Sequence, residues 1–430
     1  MKMRGWLRNP PVLGSEIDEV LAARLQWTPA AMHTWATERL QRRLRLAQSV
    51  PAWREASGGP SRRAERLEAF PLLQRGELVG GPDRYLDPRW PRRLLRVART
   101  SGSTGRPVTL LRDPASILLE EAFLRRQLAA FGWRGGSSLA IRADGPRDPE
   151  SWPIVRSRSR NEWCVAASRL DARTVRAVVE HGVKHRVGLL RGYPSALTEL
   201  ARRIEGLGLE ERLVDWPLRL LHLSSEDVTP AASALLRRVF GVPVAEQYGQ
   251  AERVLLIQTC PRGSRHLMLD YGWGEVVEGE WIATPLHGAM VLIRYRTGDG
   301  AQRLMDGATM APAAACGCGW PFPVVGPIQG RADDYVETHD GRRVGRVGPA
   351  LSVPEGIAWA QLDQQSDLSI HVRFGGLPGC DLTELGHSLE RSLRDLLRDQ
   401  KMRIVLLPGA LPVRDPSGKV RAVRSVDHDR

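Results

Sequence analysis

The sequence predicts an α/β protein with three parts in order: a large N-terminal domain on parallel strands, an antiparallel subdomain, and a small α+β domain at the C-terminal end. Three observations carry this. From about residue 95 to residue 250, short apolar runs alternate with helical stretches, the β–α–β rhythm of a parallel sheet covered by helices. After residue 270 the rhythm changes, and alternating segments such as 275–286 and 290–297 read as antiparallel strands. A Pro/Gly-rich stretch at 321–334 then leads into the final α+β pattern, which divides the chain into 1–330 and 331–430.

The elements follow in order. Residues from about 15 to 50 read as helical. Asp113 followed by Pro114 is an N-cap with proline at the first helical position, and the helix carries Ile117, Leu118, Phe123, Leu124 and Leu128 and ends before Gly132. A helix starts at Asp171, a strand covers 187–190, and another helix begins near Pro194. Residues 218–223 read as a strand, Pro230–Phe240 as a helix and 242–245 as a strand. In the last part, strands are expected at 357–362, 368–374 and 403–407, around an amphipathic helix at 381–398.

Composition narrows the function. The 430 residues are 42% hydrophobic and 26% charged, ordinary values for a globular protein with a sizeable core. No run approaches about 18 apolar residues, so no membrane-spanning helix is expected. The N-terminal stretch lacks the apolar segment of a secretory signal, so a cytoplasmic location is expected. The net charge of +13 calls for an acidic partner: nucleic acid, anionic lipid, a nucleotide, coenzyme A or an acidic carrier protein. Nucleic acid is the weaker choice, because the arginines form no unbroken tract and aromatics, at 6%, do not interleave with them. Of 62 basic residues only Lys2, Lys184, Lys401 and Lys419 are lysine. A lysine that persists in such a chain marks a place where a compact ammonium is useful.

The strongest local signal is the run from Thr100 through Ser101, Gly102, Ser103, Thr104 and Gly105 to Pro107. Glycines let backbone N–H groups approach a phosphate, and hydroxyls add donors. The run does not fit the common G-x-x-x-x-G-K-[ST] loop, and by composition alone a flexible turn competes with a phosphate loop. In this sequence it resembles the phosphate-binding loop of the acyl-adenylate-forming superfamily of acyl-CoA synthetases, adenylation domains and luciferases. Four further segments resemble that superfamily's motifs in the expected order. Tyr248 to Glu252 resembles Y-G-x-[ST]-E, and Tyr295 to Asp299 matches Y-R-T-G-D. Gly330 to Asp334 resembles G-R-x-D-D, and Pro416 to Lys419 resembles the C-terminal lysine motif. Residues 48–55, 191–197 and 316–319 resemble the phenylacetate–CoA ligase-like branch, which includes CapK-type proteins.

The resemblance implies an ATP-dependent ligase that makes an acyl- or aryl-AMP and passes the acyl group to CoA or an acyl carrier protein. It implies ATP and Mg²⁺ as cofactors and a carboxylic acid, by branch an aromatic one, as substrate. Attack of a carboxylate on the α-phosphate develops charge on phosphoryl oxygens, so donors, cations and a metal are needed there. Residues 100–105 would supply donors, with Thr104 closest to the chemistry, and Glu252 would hold Mg²⁺ by hard oxygen ligation. Asp299 would accept from the ribose hydroxyls, Arg331 would contact ribose or phosphate, and Tyr248 would lie against the adenine or the acyl pocket. Tyr193, Glu246 and Tyr248 would line that pocket. Lys419 would reach between carboxylate and α-phosphate, a task that suits a point charge on a flexible stem. The mobile C-terminal domain would deliver it by turning about Asp333.

Cys260, His266, Cys316 and Cys318 form a constellation that adenylation does not require. Three cysteines and one histidine suit tetrahedral structural zinc, although the C-x-C spacing is tight. Cys164 and Cys380 are expected to pack. The stretch 335–344 departs from the superfamily's pattern, since Asp340-Gly341 reads as a tight hairpin turn where a CoA-binding loop is usual. The acceptor is accordingly CoA, an acidic carrier protein or an amine. Two rivals stand beside the ligase: a basic nucleic-acid-binding protein, which explains the charge alone, and a noncatalytic scaffold on the same fold.

Overall fold

Among the described residues two helices come first, within the stretch that the sequence reads as helical. They are α1 (Leu13–Arg24) and α2 (Pro29–Ala47), followed by α3 (Pro51–Ala56). The break falls at Thr28, whose hydroxyl accepts the Ala31 N–H, while Pro29 occupies the first turn. The computed structural model describes residues 13–56, 66–79, 81–99, 108–142, 145–146, 148, 150–157, 162–301, 316–331, 335–345, 347–352, 354, 356–415 and 418–425. Two compact units are built from alternating stretches of chain: residues 1–134 with 247–328, and 135–246 with 329–430.

In the first unit, α4 (Arg75–Val79) precedes a short antiparallel pair, β1 (Arg96–Arg99) and β2 (Thr109–Arg112). Helix α5 (Pro114–Ala130) starts as the sequence predicts. The Asp113 carboxylate accepts the Ser116 N–H at 2.9 Å and Pro114 sits in the first turn.

The second unit begins with β3 (Ser137–Arg142), β4 (Ile154–Ser157) and β5 (Glu162–Ala166). Helix α6 (Ala172–Lys184), β6 (Val187–Gly192), α7 (Pro194–Gly206), β7 (Leu220–Ser224) and α8 (Pro230–Phe240) follow. Strands β5, β3, β6 and β7 pair in parallel in that order, with β4 antiparallel on the edge. Asp171 and Thr229 cap α6 and α8 with side-chain acceptors, and Gly241 at φ 65° ends α8. Leu190, Leu197, Leu200, Leu221 and Leu235 are fully enclosed between sheet and helices. Strand β8 (Val244–Gly249) returns the chain to the first unit.

There, β9 (Leu256–Thr259) and β10 (Arg265–Leu267) form a hairpin. Strands β11 (Gly272–Val277), β12 (Glu280–Pro285) and β13 (Tyr295–Ala301) form an antiparallel meander. The expected strand at 290–297 begins only at Tyr295, and residues 287–290 are held by side chains together with a bridge from Met290 to Leu86 and the Asp87 N–H donating to the Ala289 carbonyl at 2.9 Å. The Arg43 guanidinium donates to the carbonyls of His287 (3.0 Å), Gly288 (2.8 Å) and Met290, and Asp113 accepts the Ala289 N–H at 2.8 Å. Strand β14 (Val324–Val325) adds to β10, and β15 (Ile328–Arg331) carries the chain onward.

The second unit ends with a hairpin of β16 (Tyr335–Glu337) and β17 (Arg343–Gly345), turning at Asp340-Gly341 with Gly341 at φ 79°. After α9 (Gly348–Ser352), strands β18 (Ile357–Gln364), β19 (Ile370–Gly376), β20 (Ile404–Pro408) and β21 (Val423–Ser425) form a sheet in the order 20-19-18-21. Helix α10 (Leu382–Leu397) packs Leu385, Leu389, Leu393 and Leu397 in the core they share. The α/β class, with parallel and antiparallel parts, is as the sequence predicts.

Gly182 shows how closely α6 approaches its neighbour. A Cβ there would lie 2.3 Å from the Trp216 ring, which is buried and donates from Nε1 to the Val187 carbonyl at 2.8 Å. Alanine in mid-helix gains about 1 kcal/mol of propensity. Overpacking against an anchored ring costs about 1–3 kcal/mol. The clash should win, so Gly182→Ala is expected to lower the unfolding free energy in urea by about 1–2 kcal/mol; an unchanged or raised midpoint would refute that.

Candidate active site and metal centre

Several predicted site residues meet in the first unit. Tyr248, at the end of β8, donates its hydroxyl to Asp299 Oδ2 on β13 at 2.5 Å. The Gln250 amide donates back to the Tyr248 hydroxyl. Burial, then the Asp299 charge, pushes the Tyr248 phenol well above its usual range, so the phenol stays protonated and donates. Asp299 gains a second fix from Thr297, whose hydroxyl accepts the Asp299 N–H at 3.1 Å.

Glu252 lies beside this pair in sequence, and its side chain is 5% exposed. Its Oε1 accepts from the Tyr295 hydroxyl at 2.9 Å and from Arg75 Nη1 at 3.3 Å. Tyr295 and Asp299 share β13, so one strand serves both acids. Two more arginines shape the turn that carries Glu252. Arg112 donates to the Ala251 carbonyl at 2.8 Å, and Arg253, at φ 57°, donates to the Ser116 carbonyl and pairs with Glu120. Burial, then Arg253, lowers Arg112 to about 10. Arg75, Arg112, Glu120 and Arg253 carry no motif, and sequence reading missed them. Tyr295 was in view as the first letter of Y-R-T-G-D, but its bond to Glu252 was not.

Thr100, Ser101, Gly102, Ser103, Thr104 and Gly105 lie outside the described residues, as does Asp333. Arg331 is described only as the last backbone position of β15. In the second unit, Tyr193 is the N-cap position of α7 and is buried, and Glu246 is a half-buried residue of β8. Lys419 lies there too, its Nζ 5.9 Å from the centroid of the Tyr193 ring.

The cysteine–histidine constellation is gathered in the first unit. The donor atoms of Cys260, His266, Cys316 and Cys318 all lie within 4.8 Å of one another. Cys260 Sγ is 3.8 Å from Cys316 Sγ, and His266 Nε2 is 3.3 Å from Cys316 Sγ and 3.4 Å from Cys318 Sγ. Tetrahedral zinc with its ordinary bond lengths separates two sulfurs by about 3.8 Å and sulfur from nitrogen by about 3.5 Å. The β9–β10 hairpin brings Cys260 and His266 together, and Gly317 at φ 71° lets the tight C-x-C turn aim both thiols inward. His266 Nδ1 lies 2.8 Å from the Phe322 carbonyl. That bond leaves Nε2 facing the sulfurs, and desolvation lowers the imidazole's proton affinity and keeps it in the neutral, ligating form. Burial pushes the Cys318 thiol up to about 12. A cation is what would allow three thiolates so close together.

No family model and no curated protein sequence matches the chain. Solved structures do. 2-Hydroxyisobutyryl-CoA ligase in the postadenylation state, in complex with R3-HIB-AMP, superposes with a TM-score of 0.66 at 16% identity, over 94% of this chain and 91% of that one. The same ligase in an open conformation, in complex with 2-HIB-AMP and CoA, gives 0.55 at 17% identity, over 93% of each chain. The chain has the adenylate-forming ligase fold. Within that fold, β8, the turn after it and β13 carry the Tyr248, Glu252 and Asp299 cluster described above.

His287 packs in the same unit against Phe123 and Tyr271. Its ring lies 4.5 Å from that of Tyr271, whose hydroxyl donates to Glu120 at 2.7 Å. Both His287 ring nitrogens are shut off from solvent and have no hydrogen-bond partner among the described residues. Desolvation, then Arg43, lowers this histidine to about 3. Between that value and the unfolded value near 6.5 the unfolded chain binds a proton that the folded chain refuses, so stability must fall as pH drops through this window. The expected slope from this group is up to about 1.4 kcal/mol per pH unit. In His287→Phe, which keeps the aromatic packing, urea unfolding between pH 6 and 4 should show a shallower pH dependence than wild type; equal slopes would refute the assignment.

Proposed function

We propose that the protein is an ATP-dependent, adenylate-forming carboxylic acid ligase. The observation that carries this is the joining of two motifs by two hydroxyl bonds, Tyr248 to Asp299 and Tyr295 to Glu252, on a chain with this fold. A nucleotide site needs fixed carboxylates, and here each accepts a hydrogen bond from a phenol.

In the first half-reaction a substrate carboxylate oxygen attacks the α-phosphorus of ATP, and the bond to pyrophosphate breaks. In the second, an acceptor thiol loses its proton and attacks the acyl carbonyl, and AMP leaves. Asp299 accepts from the ribose hydroxyls. Residues 100–105 donate to phosphate oxygens, with Thr104 at the reacting end, and Arg331 contacts ribose or phosphate. Glu252 would hold Mg²⁺, which would neutralise charge on the phosphates. Tyr295 and Arg75 both approach its Oε1, and that fixes the direction its carboxylate presents. Lys419 steadies the entering carboxylate and the α-phosphate, and residues 331–430, turning at Asp333, bring it in and take it away. Tyr193, Glu246 and Tyr248 face the acyl group. Residues 48–55, 191–197 and 316–319 favour the phenylacetate–CoA ligase-like branch and an aromatic acid. The acceptor is CoA or an acidic carrier protein. The tight Asp340-Gly341 hairpin and the +13 charge favour the carrier.

The test is carboxylate-dependent exchange of pyrophosphate into ATP across a panel of aryl and fatty acids. Exchange should require Mg²⁺. Lys419→Ala and Lys419→Arg should slow acyl-AMP formation by about 100-fold or more, since a preorganised cation at the reacting phosphate is worth several kcal/mol. Transfer from pre-formed acyl-AMP should stay near normal in both. No exchange with any acid, together with tight and steeply salt-dependent duplex binding, would overturn the ligase in favour of a nucleic-acid protein.

The cysteine–histidine cluster fits zinc, which would clip the β9–β10 hairpin to the turn at 316–320 and take no part in the chemistry. One zinc per chain should co-purify by elemental analysis. Cys316→Ser should lose the metal and lower the thermal midpoint while single-turnover acyl transfer changes little at permissive temperature. A folded, active, metal-free preparation would remove this assignment.

A further inference from the structure

The sequence directs attention to Lys419, and the structure shows what holds it. Helix α7 begins at Tyr193 without a side-chain cap of its own. Its first turn is capped from elsewhere, by Glu226 in the loop after β7. Glu226 Oε2 accepts the Ser195 N–H at 2.9 Å, and its Oε1 accepts the Val420 N–H at 2.7 Å. The preceding Ser225 sits at φ 78°, a left-handed conformation that serine rarely takes without external support.

Arg414 makes the same connection from the other side. Its Nη1 donates to Ser195 Oγ at 2.9 Å and to the Gly418 carbonyl at 3.0 Å. Within the turn, Asp415 Oδ1 accepts the Lys419 N–H at 3.0 Å, and Arg414 bridges to Val420. At its base, Gln361 of β18 accepts the Val413 N–H and donates to the carbonyls of Val413 and Arg421.

Electrostatics shows why an acid is needed. The N-terminus of a helix carries partial positive charge and repels cations. Here two cations, Arg414 and Lys419, lie at the start of α7, beside Ser195 and Tyr193. The Glu226 carboxylate faces both the helix start and the turn that bears them. Burial raises its proton affinity, while its two backbone donors and Arg414 favour the ionised form.

We propose that Glu226 is the positioning residue for Lys419: its carboxylate fastens the Lys419 turn to the start of α7 and aims the ammonium at the Tyr193 ring. This rests on the reading of Lys419 as the adenylating lysine. A one-ångström misplacement of such a group costs about 100-fold in rate, so the fastening acts on the first half-reaction through Lys419.

The test separates the fastening from the chemistry. In Glu226→Gln the side chain offers one acceptor where two are needed. Hydrogen exchange at the Ser195 and Val420 amides should rise by about 10-fold or more, the equivalent of losing a hydrogen bond to a charged group. Amides in the β18–β19 pair should be unchanged. Acetylation of Lys419 by an N-hydroxysuccinimide ester should accelerate relative to Lys184 and Lys401, which serve as internal references. Acyl-AMP formation should slow by about 10- to 100-fold, with no further loss when the change is made in Lys419→Ala. Unchanged exchange and labelling in a folded Glu226→Gln protein would overturn the fastening, whatever the kinetics. Normal acyl-AMP formation by Glu226→Gln, where Lys419→Ala is impaired, would overturn the positioning role. If the amides respond but the wild-type protein adenylates no acid, the fastening stands and the ligase reading falls. If Glu226→Gln does not fold, Arg414→Gln tests the same tie, and an unaltered Val420 amide there would overturn it.

Discussion

A carboxylate has two oxygens, and in each unit one acid uses both to join the start of a helix to a distant stretch of backbone. Asp113 caps α5 with one oxygen and holds the Ala289 amide with the other. Glu226 caps α7 and holds Val420. The constraint behind both is the same: an amide shut away from water must be answered, and so must the first turn of a helix. In the first unit the rest of the candidate site hangs from this junction. Residues 287–290 lie outside the strands, and the Leu86–Met290 bridge, Asp113 and Arg43 together fix the course of the chain just before β13, which carries Tyr295 and Asp299. Where β13 lies decides whether Glu252 and Tyr248 find their phenol and carboxylate partners.

What was legible in the sequence follows from range. The caps at Asp113, Asp171, Thr229 and Asp381 are satisfied within three residues, so the local pattern suffices, and the helices begin where that pattern places them. The break at Thr28-Pro29 was equally local and could have been read from the same signal. Motif residues were legible because their types and order match a known chemistry. The partners of those residues were not. Arg75 reaches Glu252 across 177 positions and Glu226 reaches Val420 across 194, and neither spacing leaves any periodic trace. The false strand start at 290 has a related cause. Val291, Leu292 and Ile293 are fully buried and apolar, as strand residues often are, but Arg294 at φ 49° turns the chain before the pairing with β12 begins.

The basic composition reads differently once the arginines are placed. Arg43 is buried and donates to three carbonyls, and Arg126 is buried against Asp270 at 2.6 Å. Arg112 and Arg253 organise the turn around Glu252. These guanidiniums act as multidentate struts for backbone and carboxylate oxygens, work that a fork of five donors does better than an ammonium. Part of what the net charge suggests about an acidic partner is therefore internal architecture, which weakens the argument from charge for nucleic acid and for a carrier protein alike.

The alternation of the two units along the chain bears on how the protein is made. Leu21, Met32, Ala36 and Leu44, from the first two helices, share a core with Leu255, Ile257, Leu267 and Ile293. During synthesis these early helices emerge with their apolar sides uncovered, and their partners are not complete until residue 328. The delay from residue 134 to residue 328 is 194 residues. At ribosomal speeds of about 5–20 residues per second it lasts roughly 10–40 s. The sheet strands β3 to β7, by contrast, all lie within residues 137–224, although their unit too is completed only by residues 329–430. The nascent chain thus carries an unfinished beginning for much of a minute, and the cell must shelter it until residue 328 has emerged.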